Sequence, residues 1–208
     1  MVHSTPGLGT PGAVASGHMS ADDRFESTRR RLTAHQAETV ARLADAAVTV
    51  LRERGHAALT VRLVAAEAGV APATAYTYFS SKSHLLAEVF WRRLAALPQP
   101  ESRDGTPVAR VTEVMRAVAL LVADEPELAS GVTAALLDDD PEVAHLRVRI
   151  GTRIHERLSH ALGPGTRPEV LEALEVMWDG ALLRAGMGHQ SYARIADRLE
   201  TYARLILE

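Results

Sequence analysis

The stretch from Thr60 to Leu86 reads TVRLVAAEAGVAPATAYTYFSSKSHLL. Thr60 has the side chain of a helix N-cap, a hydroxyl that accepts a hydrogen bond from an amide two or three residues on. Val61, Val64, Ala65 and Ala68 follow at helical spacing. Gly69 then breaks the segment, because glycine takes the positive φ that a sharp turn needs. Pro72 opens a second short helix, to about Phe79, at a position where its missing amide hydrogen costs nothing. Ala65 is small where the second helix crosses closely, and Val64, Ala68, Val70, Ala75 and Tyr78 supply apolar contacts toward a preceding helix. These are the steric demands of a helix-turn-helix. An ordinary helical hairpin meets many of them too. The polar side chains favour the first reading: Thr74, Tyr76, Thr77, Tyr78 and Lys82 cluster hydroxyls and one ammonium suited to phosphate contacts.

Working outward, Val40, Leu43, Ala47, Val50 and Leu51 form one face of a preceding helix that Gly55 ends. The module therefore runs from about Gln36 to Leu86. After it, Ser80 or Ser81 caps a longer helix with Leu85, Leu86, Val89, Phe90 and Leu94 inward. Pro98–Pro107 is a linker rich in Pro and Gly. Helices are then expected over Val108–Glu125, around Leu128–Leu137, from Asp140-Pro141 to about Leu162, over about Pro168–Met187, and over Gln190–Leu207. No segment alternates like a strand. The fold class is all-α, with about nine helices. The expected organisation is a disordered tail (1–23), a helix-turn-helix domain (24–82) and a helical effector-binding and dimerisation domain (83–208).

Composition agrees. The chain has 208 residues, 47% hydrophobic and 24% charged, with 4% aromatics and no cysteine. That excludes disulfides, thiol nucleophiles and Cys-ligated zinc. No apolar run reaches the ~18 residues of a membrane span, and the N-terminus has no secretory pattern, so a cytoplasmic protein is expected. The net charge of −3 is uneven. Residues 21–97 carry eleven Lys or Arg against eight Asp or Glu, and residues 98–208 carry twelve against eighteen. A basic head on an acidic body suits a nucleic-acid face attached to something else. A literal G-x-G-x-x-G (Gly7, Gly9, Gly12) follows no strand, opens no helix and contains Pro11, so it has no phosphate-cradling scaffold.

The Thr60–Leu86 run resembles the DNA-binding signature of the TetR/AcrR family of repressors. The family pattern falls on Thr60, Val64-Ala65, Ala68-Gly69-Val70, Tyr76-Thr77-Tyr78-Phe79 and Lys82. Beyond Leu97 the likeness is one of architecture, and the Trp178-centred helix with the Leu-rich last helix is loosely similar to actinobacterial repressors of lipid and sterol catabolism. The resemblance implies a homodimer on double-stranded operator DNA, released by a small molecule. It makes Lys82, the sole lysine, a phosphate contact beside a helix N-terminus. Ala71 stands where Ser is usual, Ala73 where Gly is frequent, and Thr77 where a longer polar side chain is common. Ala71, Pro72, Ala73, Thr74 and Thr77 thus present methyls and hydroxyls, which can meet thymine methyls but make no bidentate contact to guanine. More of the specificity is left to Arg62, to DNA shape, or to the arm Arg29-Arg30-Arg31, read either as a minor-groove arm or as a solvated charge run.

In the body, Val170, Leu171, Leu174, Ile195, Leu199, Tyr202 and Ile206, with Trp178 and Leu182, form stripes that serve a four-helix dimer interface, the subunit's own core, or both. Met115, Val118, Leu136, Ile150, Ile154, Met177, Trp178 and Leu182 are candidates for an effector pocket, with plain core as the competing reading. Their apolar character suits a hydrophobic ligand. The resemblance extends that to a fatty-acyl or sterol-derived one, including a CoA thioester. Glu142-x-x-His145 occurs once where a carboxylate-bridged iron site needs two copies. No nucleophile elbow or zincin motif is present, so neither metal, cofactor nor enzymatic activity is expected. Two alternatives stand beside the ligand-released repressor: a helical small-molecule carrier or enzyme without DNA binding, and a DNA-binding regulator controlled by a protein partner.

Overall fold

A computed structural model describes residues 34–99 and 104–208. The expected tail, the glycine motif and Arg29-Arg30-Arg31 lie outside the described residues. Among the described residues there are nine α-helices and no strand, as the periodicity predicts. They are α1 (Ala34–Ala58), α2 (Val61–Glu67), α3 (Pro72–Tyr78), α4 (Lys82–Ala96), α5 (Pro107–Ala119), α6 (Pro126–Leu136), α7 (Pro141–Leu162), α8 (Pro168–Gly186) and α9 (Tyr192–Leu207).

Local chemistry sets most of the boundaries. Thr60, Ser81, Thr106, Asp140 and Ser191 cap α2, α4, α5, α7 and α9 with side-chain oxygens, and five helices have proline in their first turn. Helical geometry breaks inside α1 at Gly55, whose φ of 75° only glycine adopts readily. One expected boundary moves. The helix predicted to reach Glu125 ends at Ala119, and the chain then turns through short-range bonds, Leu121 N–H to Val118 O and Glu125 N–H to Val122 O. The cause is long-range: Arg93 on α4 takes the Leu121 carbonyl at 2.8 Å and the Glu125 carboxylate at 3.0 Å. Satisfying those groups from outside removes the advantage of extending the helix.

The helices pack around one continuous apolar core. In the head, α2 lies on α1 and α3 on α2. In the body, α5 is sandwiched between α7 and α9, and α8 packs on α9, α6 and α7. Helix α4 packs on α1 as well as on α6 and α7, burying Leu85, Leu86, Ala87, Val89, Phe90 and Leu94. It thus packs on both head and body.

Candidate nucleic-acid interface

The turn between α2 and α3 is built as its residues demand. The Thr60 hydroxyl accepts from Leu63 N–H at 3.1 Å. Gly69 takes a φ of 63°, and Val70 N–H reaches back to Ala65 O at 2.8 Å, closing the C-terminus of α2. Ala65 and Ala75 have no exposed surface and lie within the one apolar cluster, so α2 and α3 approach closely. Around that anchor Ala71, Pro72, Ala73, Thr74, Tyr76 and Thr77 are all exposed, as is Arg62 on α2. Helix α3 thus shows nearly its whole outer surface to solvent.

Of three candidate residues here, Thr77 and Lys82 have duties that the sequence did not reveal, and Tyr78 packs inward as expected. The Thr77 hydroxyl donates to Ala73 O at 3.0 Å, so what it offers outward is a methyl and an acceptor. Tyr78 is half-buried and packs against the core, whereas Tyr76 is 53% exposed. Lys82 is half-buried, and its ammonium donates to the His56 carbonyl at 3.2 Å, clasping the α1–α2 turn. His56 N–H in turn donates to Glu127 Oε2 on α6 at 2.9 Å. Burial, and then the Lys82 charge, hold the His56 imidazole below its usual range, with Glu127 opposing.

A second junction ties the end of α3 to the corner between α6 and α7. The Ser80 and Ser81 hydroxyls donate to Asp140 Oδ2 at 2.9 and 2.6 Å, and the Ser83 hydroxyl donates to Asp138 Oδ2 at 2.7 Å. Asp140 also caps α7, accepting from Glu142 N–H at 2.8 Å through its other oxygen. Ser83, followed by the Asp140 amide, holds the Asp138 carboxyl below the usual range. For Asp140 burial pushes upward, and the bonds from Ser81, Glu142 N–H and Ser80 outweigh it. In the sequence Asp140 stands out only as the start of a helix, ahead of Pro141. A partner some 55 to 60 residues away leaves no local signal.

A family model for bacterial regulatory proteins of the tetR family matches residues 43–89, covering most of α1 through most of α4. An uncharacterised HTH-type transcriptional regulator of Mycobacterium tuberculosis is 47% identical over 201 residues, covering 91% of this chain and 94% of its own. The chain belongs to the TetR family of bacterial regulatory proteins. A more distant relative, the HTH-type transcriptional repressor KstR of Mycolicibacterium smegmatis, is 26% identical over 83% of this chain and 88% of its own. The crystal structure of a TetR regulator from Rhodococcus sp. RHA1 has the same fold, with a TM-score of 0.68 at 21% identity over 84% of this chain and 98% of that one. TetR-family proteins are DNA-binding regulators, not enzymes; they generally bind DNA as dimers and often take a small-molecule ligand.

In this TetR-family body the candidate interface residues fall into two groups. Leu174, Ile195 and Leu199 are buried in their own subunit, while Val170, Leu171, Tyr202 and Ile206 are half-buried at its edge. On these last two helices the large apolar residues that face outward are others: Val176 and Leu183 on one face of α8, Met187 at its C-terminal end, and Leu205 on α9. The signal was present, since α8 is apolar on more than one side. Of the candidate pocket residues, Met115, Val118, Ile150, Ile154 and Trp178 are buried and Leu136, Met177 and Leu182 half-buried. The Trp178 indole N–H is buried without a hydrogen-bond partner. Two open surface depressions lie elsewhere, one of about 330 Å³ lined by Leu51, Arg52 and Asp124–Leu128, the other by Thr201, Arg204, Leu205 and Glu208. No helix among the described residues is long and apolar enough to cross a membrane, and none of their His, Asp and Glu side chains are grouped to hold a metal ion.

Proposed function

We propose that this protein is a dimeric repressor that reads operator DNA with α3 and is released by an apolar small molecule held in the α5–α8 body. The observation that carries the reading is the outer surface of α3, exposed from Ala71 to Thr74 and at Tyr76 and Thr77 while Ala75 anchors it beneath. A helix so mounted fits the major groove. Ala71, Pro72 and Ala73 would meet thymine methyls, and Thr74 and Thr77 base edges. The acceptor left on Thr77 suits an adenine or cytosine amino group. Thr60, Tyr76 and Tyr78 would position the helix against the backbone, and the exposed Arg62 would add to specificity. Lys82 keeps two ammonium hydrogens for a phosphate while the third stays on His56.

Repression follows the 26% identical relative, which is itself named a repressor. For the effector, the apolar residues around Trp178 suit a hydrophobic body, and the unpaired indole N–H suits one acceptor on it. For the dimer, the outward stripe on α8 supplies a face that a second copy would cover. Control by a protein partner is the second reading. It is favoured by the two surface depressions, which are open and lined by none of the candidate pocket residues.

The test is selection of duplexes from a random DNA pool by the purified protein, followed by titration of the selected sequence. Sequence-specific, salt-sensitive binding is expected. Thr77→Ala and Tyr76→Ala should each weaken it about tenfold, with the dimer intact. Binding that tracks total charge alone, with both variants equal to wild type, would remove α3 from the interface.

A further inference from the structure

We propose that Asp138 and Asp140 are positioning residues for DNA binding: from the α6–α7 corner they hold the three serines that follow α3, and so fix how the reading helix stands on the body. Each carboxylate divides its two oxygens. Asp138 Oδ1 accepts the Asp140 amide at 3.0 Å and Asp140 Oδ1 accepts the Glu142 amide at 2.8 Å, which shapes the corner itself. The Oδ2 atoms face the α3–α4 turn and the first turn of α4, where they accept from Ser83, and from Ser80 and Ser81. These are charge-assisted bonds, stronger than neutral ones, and they begin two residues after α3 ends. Elsewhere the head meets the body through apolar packing, ion pairs and the His56 contacts; this junction grips the exit of the reading helix directly.

Why grip it with anions? Negative charge close to a DNA-reading helix repels phosphate, so a corner needing only a cap is better served by a neutral side chain. The geometric gain explains the choice. A dimer engages two half-sites together, and each head must present α3 at one angle. Freedom left in the head would be lost on binding, at a cost in affinity.

The two accounts predict opposite signs. If the carboxylates only repel DNA, removing one tightens binding. If they position α3, removing one weakens it. The test uses full-length protein and a fluorescent duplex selected from a random pool by the wild type. The Ser80→Ala/Ser83→Ala pair changes no charge and spares Ser81, whose hydroxyl also caps α4 by accepting from His84 N–H. It should bind about five- to tenfold more weakly, as should Asp138→Ala. The exposed neighbour Asp139 is the control: Asp139→Ala makes the same charge change and should bind as tightly as wild type or tighter.

The salt dependence of both weakened variants should match wild type, because no phosphate contact is lost. Both should also tolerate a base pair inserted between half-sites better than wild type does. Serine variants that bind like wild type, or Asp138→Ala that tightens as much as Asp139→Ala, would overturn the proposal. Should Asp138→Ala melt early, the serine pair decides alone. The inference rests on α3 as the contacting helix. A wild type that selects no duplex brings down both readings, whereas one that binds normally with inert serine variants brings down only this one.

Discussion

Glu88 lies on α4 between Arg92, whose guanidinium is 4.0 Å away, and Arg149, which stacks on the Trp91 ring at 4.4 Å. Burial nevertheless outweighs both cations and raises its carboxyl above the ordinary 4.5. A carboxyl raised on folding binds its proton more tightly in the native state, so it favours the fold at low pH. That contribution declines as the pH climbs from about 4.5 through the native value, and above it the buried charge is a fixed cost. Glu88→Gln should therefore melt above wild type at pH 8, with the gap closing toward pH 4.5. Thermal midpoints at the two values check it, and a variant that melts lower at pH 8 would show that the arginines dominate. Nothing in the sequence singled out Glu88, since i,i+4 Glu–Arg pairs are ordinary on exposed helices. Its distinction comes from burial, against the pull of a cation on the distant α7, and neither leaves a local pattern.

At the scale of elements, Gly186 sets the crossing of α8 over α6. A Cβ built there would lie 2.3 to 2.6 Å from Thr133 Cγ2, Oγ1 and Cβ, too near the backbone for a rotamer change to relieve. Thr133 is itself fixed, bonded to Ala129 O at 3.1 Å and to Tyr192 on α9 at 2.8 Å. Gly186→Ala should cost about 2–3 kcal/mol by overpacking, and lower the thermal midpoint by roughly 5–10 °C. Thr133→Ala should restore part of that loss; no change on Gly186→Ala would mean that α8 shifts freely. Caps, prolines and periodicity made the helices themselves legible from sequence, and Thr60, Gly69, Pro72 and Asp140 fell where their chemistry requires. What stayed hidden was every feature made by two distant elements. The early end of α5 depends on Arg93, the engagement of Lys82 on His56, and the second role of Asp138 and Asp140 on serines across the junction. Which apolar side of α8 faces inward was equally unreadable, because periodicity names the sides without saying what covers them.

For the whole molecule, the proposed dimer rests on the outward apolar residues of α8. Val176 is 67% exposed and Met187 56%, with Leu183 between them. Exposed apolar side chains repeated along one helix face suit an interaction face. Val176→Glu/Leu183→Glu should give a folded monomer by sedimentation, and weaken binding to a two-half-site duplex by about 100-fold through lost bivalency. A variant that stays dimeric would move the interface to the edge residues Val170, Leu171, Tyr202 and Ile206. The junction at His56 has one more consequence. Lys82 carries the only ε-amine in the chain, beside twenty-two arginines. Mild amine acylation therefore marks one side chain, at the seam where α1, α4 and α6 meet. Its labelling rate, followed by mass spectrometry with and without added effector, reports whether that seam is shut or open, with no probe engineered into the protein.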